Sequence, residues 1–216
     1  MELFNNTYGK QCVLTICDKI IDNKAYLSEV DGLIGDGDHG INMAKGFNLC
    51  KAELKNLDNA TLDQSFSILA NILMGSIGGS MGPLYGSVFF GMASAIEDLK
   101  TINVQQFDAM LREGLSEIQD ISSAQVGDKC IMDTLVPAVE AFSSAAAAND
   151  SFADCLNKMA AAAQAGSDST KNLVAKIGRA SRLGERSRGV LDAGSVSCAM
   201  ILTTLADSVT QHLDSQ

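Results

Sequence analysis

What most constrains this chain is the spacing of its apolar residues. Val13, Ile16, Cys17 and Ile20 recur at i, i+3, i+4 and i+7, which places them on one face of an α-helix. Phe107, Met110, Leu111, Leu115 and Ile118 repeat the spacing. So do Leu202, Leu205, Ala206, Val209 and Leu213, in a helix expected to run almost to the C-terminus. The period-two alternation of a half-buried strand is absent. Such faces can be buried only against one another, and with two prolines in 216 residues the chain reads as all-α. Its length and 46% hydrophobic content predict a single domain over 1–216 with one sizeable core.

Further helices are expected near 41–56, 63–75, 83–98, 131–148 and 151–166, for eight in all. The breaks fall at Asp58-Asn59, the glycine run 75–82, Gly127 and Asn149-Asp150-Ser151. Pro83 suits a first helical turn, whereas Pro137 should kink its helix. The alanine-biased stretch 145–166 reads as close helix packing rather than a linker, because Phe152, Leu156 and Met159 keep helical spacing.

A net charge of −10 opposes binding to nucleic acid or to an anionic membrane surface. A phosphate ligand would need some of the carboxylates covered by divalent cations. The six cysteines form no CxxC pair, so buried free thiols are expected rather than zinc ligands. The N-terminus lacks a basic and then apolar leader, and no apolar run looks long enough to span a bilayer, which predicts a cytoplasmic protein.

Four stretches rich in glycine or charge interrupt the helices: 31–42, 75–86, 126–133 and 178–194. The first holds Asp31, Asp36, Asp38 and His39. Carboxylates that dense repel one another unless water or cations neutralise them. A solvated turn and a Mg²⁺ site both fit, and the intervening glycines favour the metal because they let the backbone fold around an ion. The second stretch has five glycines in twelve residues and enters a helix at Pro83, which suits either a phosphate cradle or close helix packing. The last carries Arg179, Arg182, Arg186 and Arg188. An arginine fork suits phosphate, while an ion pair with Glu185 is the alternative for any one of them.

Together IGDGDHGINM, GGSMGPLYG, GDKCIMD and GRASRLGERSRG resemble, in order and spacing over nearly the whole chain, the nucleotide-binding (L) subunit of dihydroxyacetone kinase and the C-terminal domain of single-chain dihydroxyacetone kinases. The resemblance implies an antiparallel barrel of eight amphipathic helices with the nucleotide site at one end. It implies that Asp31, Asp36 and Asp38 hold two Mg²⁺ ions that bridge the phosphates of ADP or ATP. His39, Gly40 and Asn42 would line the phosphate side, Gly78, Gly79 and Ser80 the glycine loop, and Ile131 an apolar platform for adenine. Arg179 matches the family's nucleotide-contacting arginine and is the expected catalytic residue; Asp192 and Gly194 match the last nucleotide loop.

The implied activity is phosphoryl transfer to a small ketose, and the implied partners are two. One is a substrate-binding kinase subunit, whose histidine captures the ketone as a hemiaminal; the other is a phosphohistidine donor protein of the sugar phosphotransferase system, which serves some family members while others use free ATP, a choice the sequence leaves open. Three positions depart from the family: Met81 where a serine is usual, Cys130 where a threonine is usual, and Ala193 where a proline is usual. A fatty-acid-kinase-like nucleotide domain and a non-catalytic adaptor are the rival readings. The motif set favours the dihydroxyacetone-kinase type, and the intact carboxylates disfavour the adaptor.

Overall fold

Local signals start the helices where the sequence places them. Asn103 and Gln106 exchange hydrogen bonds of 2.9 Å, each side chain accepting from the other's backbone N–H, and open a helix. Ser151 Oγ accepts from Asp154 N at 3.0 Å, and Asp192 accepts from Ser195 N at 2.7 Å, at the starts of two more. The computed structural model describes residues 2–215. Its helices are α1 (Gly9–Asp22), α2 (Lys24–Gly32), α3 (His39–Lys55), α4 (Leu62–Ser76), α5 (Met81–Ala95), α6 (Val104–Ile121), α7 (Met132–Ala147), α8 (Phe152–Ser169) and α9 (Ala193–Thr210).

Eight of these close a ring: α1 packs on α3, the order then runs from α3 to α9, and α9 returns to α1. Short connections set sequence neighbours antiparallel. The apolar faces predicted for α1 and α6 point inward, with Val13, Ile16, Cys17, Ile20, Phe107, Met110 and Ile118 fully buried. All join one contiguous core. α8 carries Phe152, Leu156 and Met159 into it, so the alanine-rich stretch is a packed helix pair. α7 continues through Pro137. The proline leaves the Asp133 carbonyl without its intrahelical donor, and Gly166 of α8 packs against that carbonyl so closely that a Cβ there would lie 2.2 Å from it.

Three features differ from the sequence expectation. α2 is a ninth α-helix among the described residues, set off from α1 by Asn23 alone and packed on α3 and α9; only Leu27 and Val30 of it are buried, too few to show a period. Leu213 lies beyond α9, in the strand β3 (Leu213–Ser215). That strand and β2 (Thr101–Ile102) flank β1 (Glu2–Asn5) in an antiparallel sheet, with Phe4 opposite both Leu213 and Ile102. Strands this short cannot display alternation. Finally, α9 is long and apolar enough to cross a membrane by length and composition, yet 67% of it is buried as a core helix of the ring.

The sheet closes one end of the ring. Asn6, fully buried, donates through Nδ2 to Asp63 Oδ1 at 3.1 Å and to Leu99 O at 2.6 Å, and accepts from Leu62 N at 2.7 Å. Glu2 accepts from Phe152 N at the start of α8. The connections that remain, α2–α3, α4–α5, α6–α7 and α8–α9, gather at the opposite end. These are the four stretches the sequence singles out.

Candidate functional site

At that open end the four connections enclose a cleft of about 280 Å³. Asp31 lies in the last turn of α2, Asp36 in the connection and Asp38 at the N-cap position of α3. A ligand oxygen from each lies within 4.8 Å of the others. Their oxygens sit at the start of α3, where unpaired N–H groups make the local field positive. Asp31 Oδ2 accepts one of these, His39 N, at 3.3 Å. Across the cleft Arg179 forms an ion pair with Asp36. Arg188 pairs with Glu185, so the two arginines have different partners.

Three hard oxygen donors converging beside a helix N-terminus match what Mg²⁺ takes from a protein when phosphate and water supply its other ligands. The glycine loop divides between both readings that the sequence left open. Gly78 and Gly79 line the cleft, and a Cβ on either would meet nothing within 4 Å; Gly79 has φ +73°, so bare backbone faces open space. Gly82 instead packs on α4, where a Cβ would lie 2.4 Å from Leu73 O. Ser80 and Met81 line the cleft at the start of α5.

Beneath the carboxylates runs a buried polar chain that the sequence did not announce. His39 Nε2 lies 2.8 Å from Ser197 Oγ, which lies 2.6 Å from Tyr85 OH; Tyr85 also reaches Gly194 O at 2.9 Å. Ser197 Oγ also lies within hydrogen-bond reach of the Ala193 and Gly194 carbonyls of its own helix, so its single proton has several acceptors around it. Burial lowers the His39 pKa to about 4, and the ring is neutral at physiological pH. His39 is therefore fixed, and its signal in sequence was its neighbours rather than Ser197 or Tyr85.

Apolar side chains also line the cleft, Ile34, Leu84, Ile131, Ile177 and Ala193 among them. Asp133 anchors the turn that carries Ile131 by accepting from Gly127 N at 2.6 Å and Cys130 N at 2.7 Å. Burial pushes the Cys130 thiol up to about 12, which removes it as a nucleophile. Asp192 caps α9, and burial raises its carboxyl to about 6. Thus Asp31, Asp36, Asp38, His39, Asn42, Gly78, Gly79, Ser80, Ile131, Arg179, Asp192 and Gly194 all border one cleft.

Gly40 is the exception. It is buried against α2, where a Cβ would lie 2.0 Å from Lys24 O, so it sets the α2–α3 approach and does not face the cleft. Lys129, absent from the sequence candidates, does border the cleft and is buried. Only its place in the GDKC stretch hinted at it.

Residues 33–207 match the family model described as the DAK2 domain. The ADP-binding subunit DhaL of the PTS-dependent dihydroxyacetone kinase of Lactococcus lactis is 42% identical over 193 residues, covering 89% of this chain and 92% of the relative. The ADP-binding subunit DhaL of PEP-dependent dihydroxyacetone kinase 2 of Listeria innocua is 38% identical, covering 85% and 86%. Among solved structures, dihydroxyacetone kinase from C. freundii in complex with AMP-PNP and Mg2+ shares the fold with a TM-score of 0.69 at 24% identity, over 94% of this chain and 34% of that one.

Proposed function

Since this chain belongs to the DAK2-domain family, we propose that it is the ADP/ATP-binding subunit of a dihydroxyacetone-kinase-type enzyme, a phosphotransferase subunit acting on a small ketose held by a partner. The observation that carries the reading is the convergence of three carboxylates, a bare glycine loop and an arginine on one cleft at the open end of the ring. The whole ring acts as one nucleotide-binding domain in this reading.

Asp31, Asp36 and Asp38 would hold the Mg²⁺ ions, which would supply positive charge to offset that of the phosphates. The backbone of Gly78, Gly79 and Ser80 lets phosphate oxygens approach, and Asn42 adds a polar group on the α3 side. The base lies along Ile131 and Ala193. Arg179 turns from Asp36 to the transferring phosphoryl group and offsets its charge, while the fold holds that group in line with its acceptor.

The two histidines support a division of labour. His39 is bonded to Ser197, and His212 stacks on Tyr8 at the closed end, with ring centroids 4.1 Å apart. His39 borders the cleft but is buried and engaged with Ser197, and His212 is far from it, so in this reading the acceptor comes from a substrate-binding subunit. The relatives named PTS-dependent and PEP-dependent favour a phosphohistidine protein as donor, with ADP kept in the cleft. Six free cysteines suit the reducing cytoplasm.

The test is transfer to dihydroxyacetone by the purified chain with Mg-ATP, and again with substrate subunit and phosphorylated donor protein. The chain alone is expected to be inert and the full set active, with ADP copurifying by mass. Efficient turnover by the isolated chain would refute the division of labour.

A further inference from the structure

Arg179 stands on a twenty-residue stretch, 171–190, that contains no α-helix. Its regular structure is the end of a 3-10 turn at Thr170–Asn172 and a 3-10 segment at Arg179–Ser187, interrupted at Gly184. A stretch of this kind needs its position fixed from outside. Its two ends meet on a single side chain: Lys129 Nζ donates to the carbonyls of Thr170 and Val190. Beside this junction Gly189 N donates to Lys171 O at 2.8 Å, and Asp192 N to Thr170 Oγ1 at 3.0 Å.

Lys129 is unusual in its own right. It is 2% exposed, although lysine is almost never fully buried unless paired. Its φ is +64°, the left-handed region that persists in a non-glycine residue only where surroundings over-determine it. Those surroundings are specific: Gly127 N and Cys130 N on either side both donate to Asp133, which fixes the turn to the start of α7. A second tie runs from Lys176 N to Asp128 O at 3.1 Å.

Inside the stretch, Ala175 N donates to Ser187 Oγ at 2.9 Å and Arg188 Nη1 to Asn172 O at 2.5 Å. These bonds brace the stretch internally, so that a shift at the neck is passed on toward Arg179. The Arg179 side chain is 64% exposed, and its ion pair with Asp36 is the contact at its tip.

We propose that Lys129 is a positioning residue for phosphoryl transfer: by pinning both ends of the 171–190 stretch to α7, it sets where the Arg179 guanidinium stands relative to the carboxylate cluster. This rests on the role given to Arg179 above. An ammonium suits the task because its charged donors serve two carbonyls at once from a long stem, with stronger bonds than a neutral amide makes and none from an apolar chain.

Lys129→Met and Arg179→Lys, singly and together, test this in the full enzyme with both partner proteins. A misplacement of about 1 Å costs a catalytic group on the order of 10²-fold. Lys129→Met is expected to lower kcat by roughly 10–100-fold on that scale, with a smaller change in the Kd of Mg-ADP. Combined with Arg179→Lys it should be little slower than Arg179→Lys alone, because both act through one guanidinium. Hydrogen exchange should accelerate across 171–190 and not in α3 to α7.

Losses that multiply in the double variant would overturn the positioning role, and unchanged exchange in 171–190 would overturn the clamp. Full activity of Arg179→Lys alone would instead count against the arginine's role, leaving exchange to decide the clamp independently. Should the methionine variant lose its helical circular dichroism, Lys129→Gln keeps a neutral N–H donor, and the same localised exchange is expected of it.

Discussion

Two segments face each other across the cleft and are held there by opposite means. The acidic one is the six-residue connection between Gly32 and His39 with the helix ends beside it: Asp31 rides on the last turn of α2, Asp38 caps α3, and Asp36 lies between them. Helix packing fixes the first two and leaves only a short span for the third. The arginine-bearing one spans twenty residues and reaches the ring through a junction of side-chain and backbone hydrogen bonds around Lys129. In the proposed reading, helix ends hold the metal-binding carboxylates, and a long connection carries the arginine that changes partners; hydrogen bonds at a neck can be released at lower cost than a packed helix.

The sharpest way to break this contrast is Asp38→Asn. It removes a ligand oxygen without disturbing a core residue, so Mg-ADP affinity measured by calorimetry should fall by at least the ~10–100-fold that outer partners of metal sites cost. Thermal unfolding of the apo-protein should hardly move. Unchanged affinity would remove the metal assignment.

A second variant attacks the packing behind the acidic segment. In Gly40→Ala the new Cβ meets Lys24 O, so α2 must move from α3 and take Asp31 with it. Overpacking of this kind costs about 1–3 kcal/mol, and thermal denaturation should show it together with weaker Mg-ADP binding. Wild-type stability would mean that α2 is mobile and that the acidic segment is no more rigid than its counterpart.

The smallest effect is expected at the return of the arginine segment. Ala193 is the first residue of α9, and Asp192 before it has φ −86° and ψ 127°, a conformation that a following proline permits. Ala193→Pro should stabilise the fold by about 0.4–1 kcal/mol by restricting the unfolded chain, read as a shift in denaturation midpoint at constant slope. Loss of stability would show that the ring of proline does not fit beside Ile131.

The helical class, most helix positions and all three carboxylates were legible in the sequence, because a 3.6-residue period and a local charge cluster are written in neighbouring residues. The small sheet was not: β1, β2 and β3 come from the start, the middle and the end of the chain, and strands of two to four residues have no readable period. Gly40 shows the same limit within the site. Its neighbours made it look like part of a phosphate loop, and only the approach of Lys24 from α2 makes it a packing residue.

By itself the sequence determined that this chain buries helical faces against one another and which four segments are left for chemistry. The tertiary structure decided how those segments meet: that Asp36 faces Arg179 from 143 positions away, that His39 rests on Ser197, and that Lys129 gathers Thr170 and Val190. The physical reason is that helix formation is governed by neighbours within a few residues, whereas contacts between connections exist only once the ring has closed.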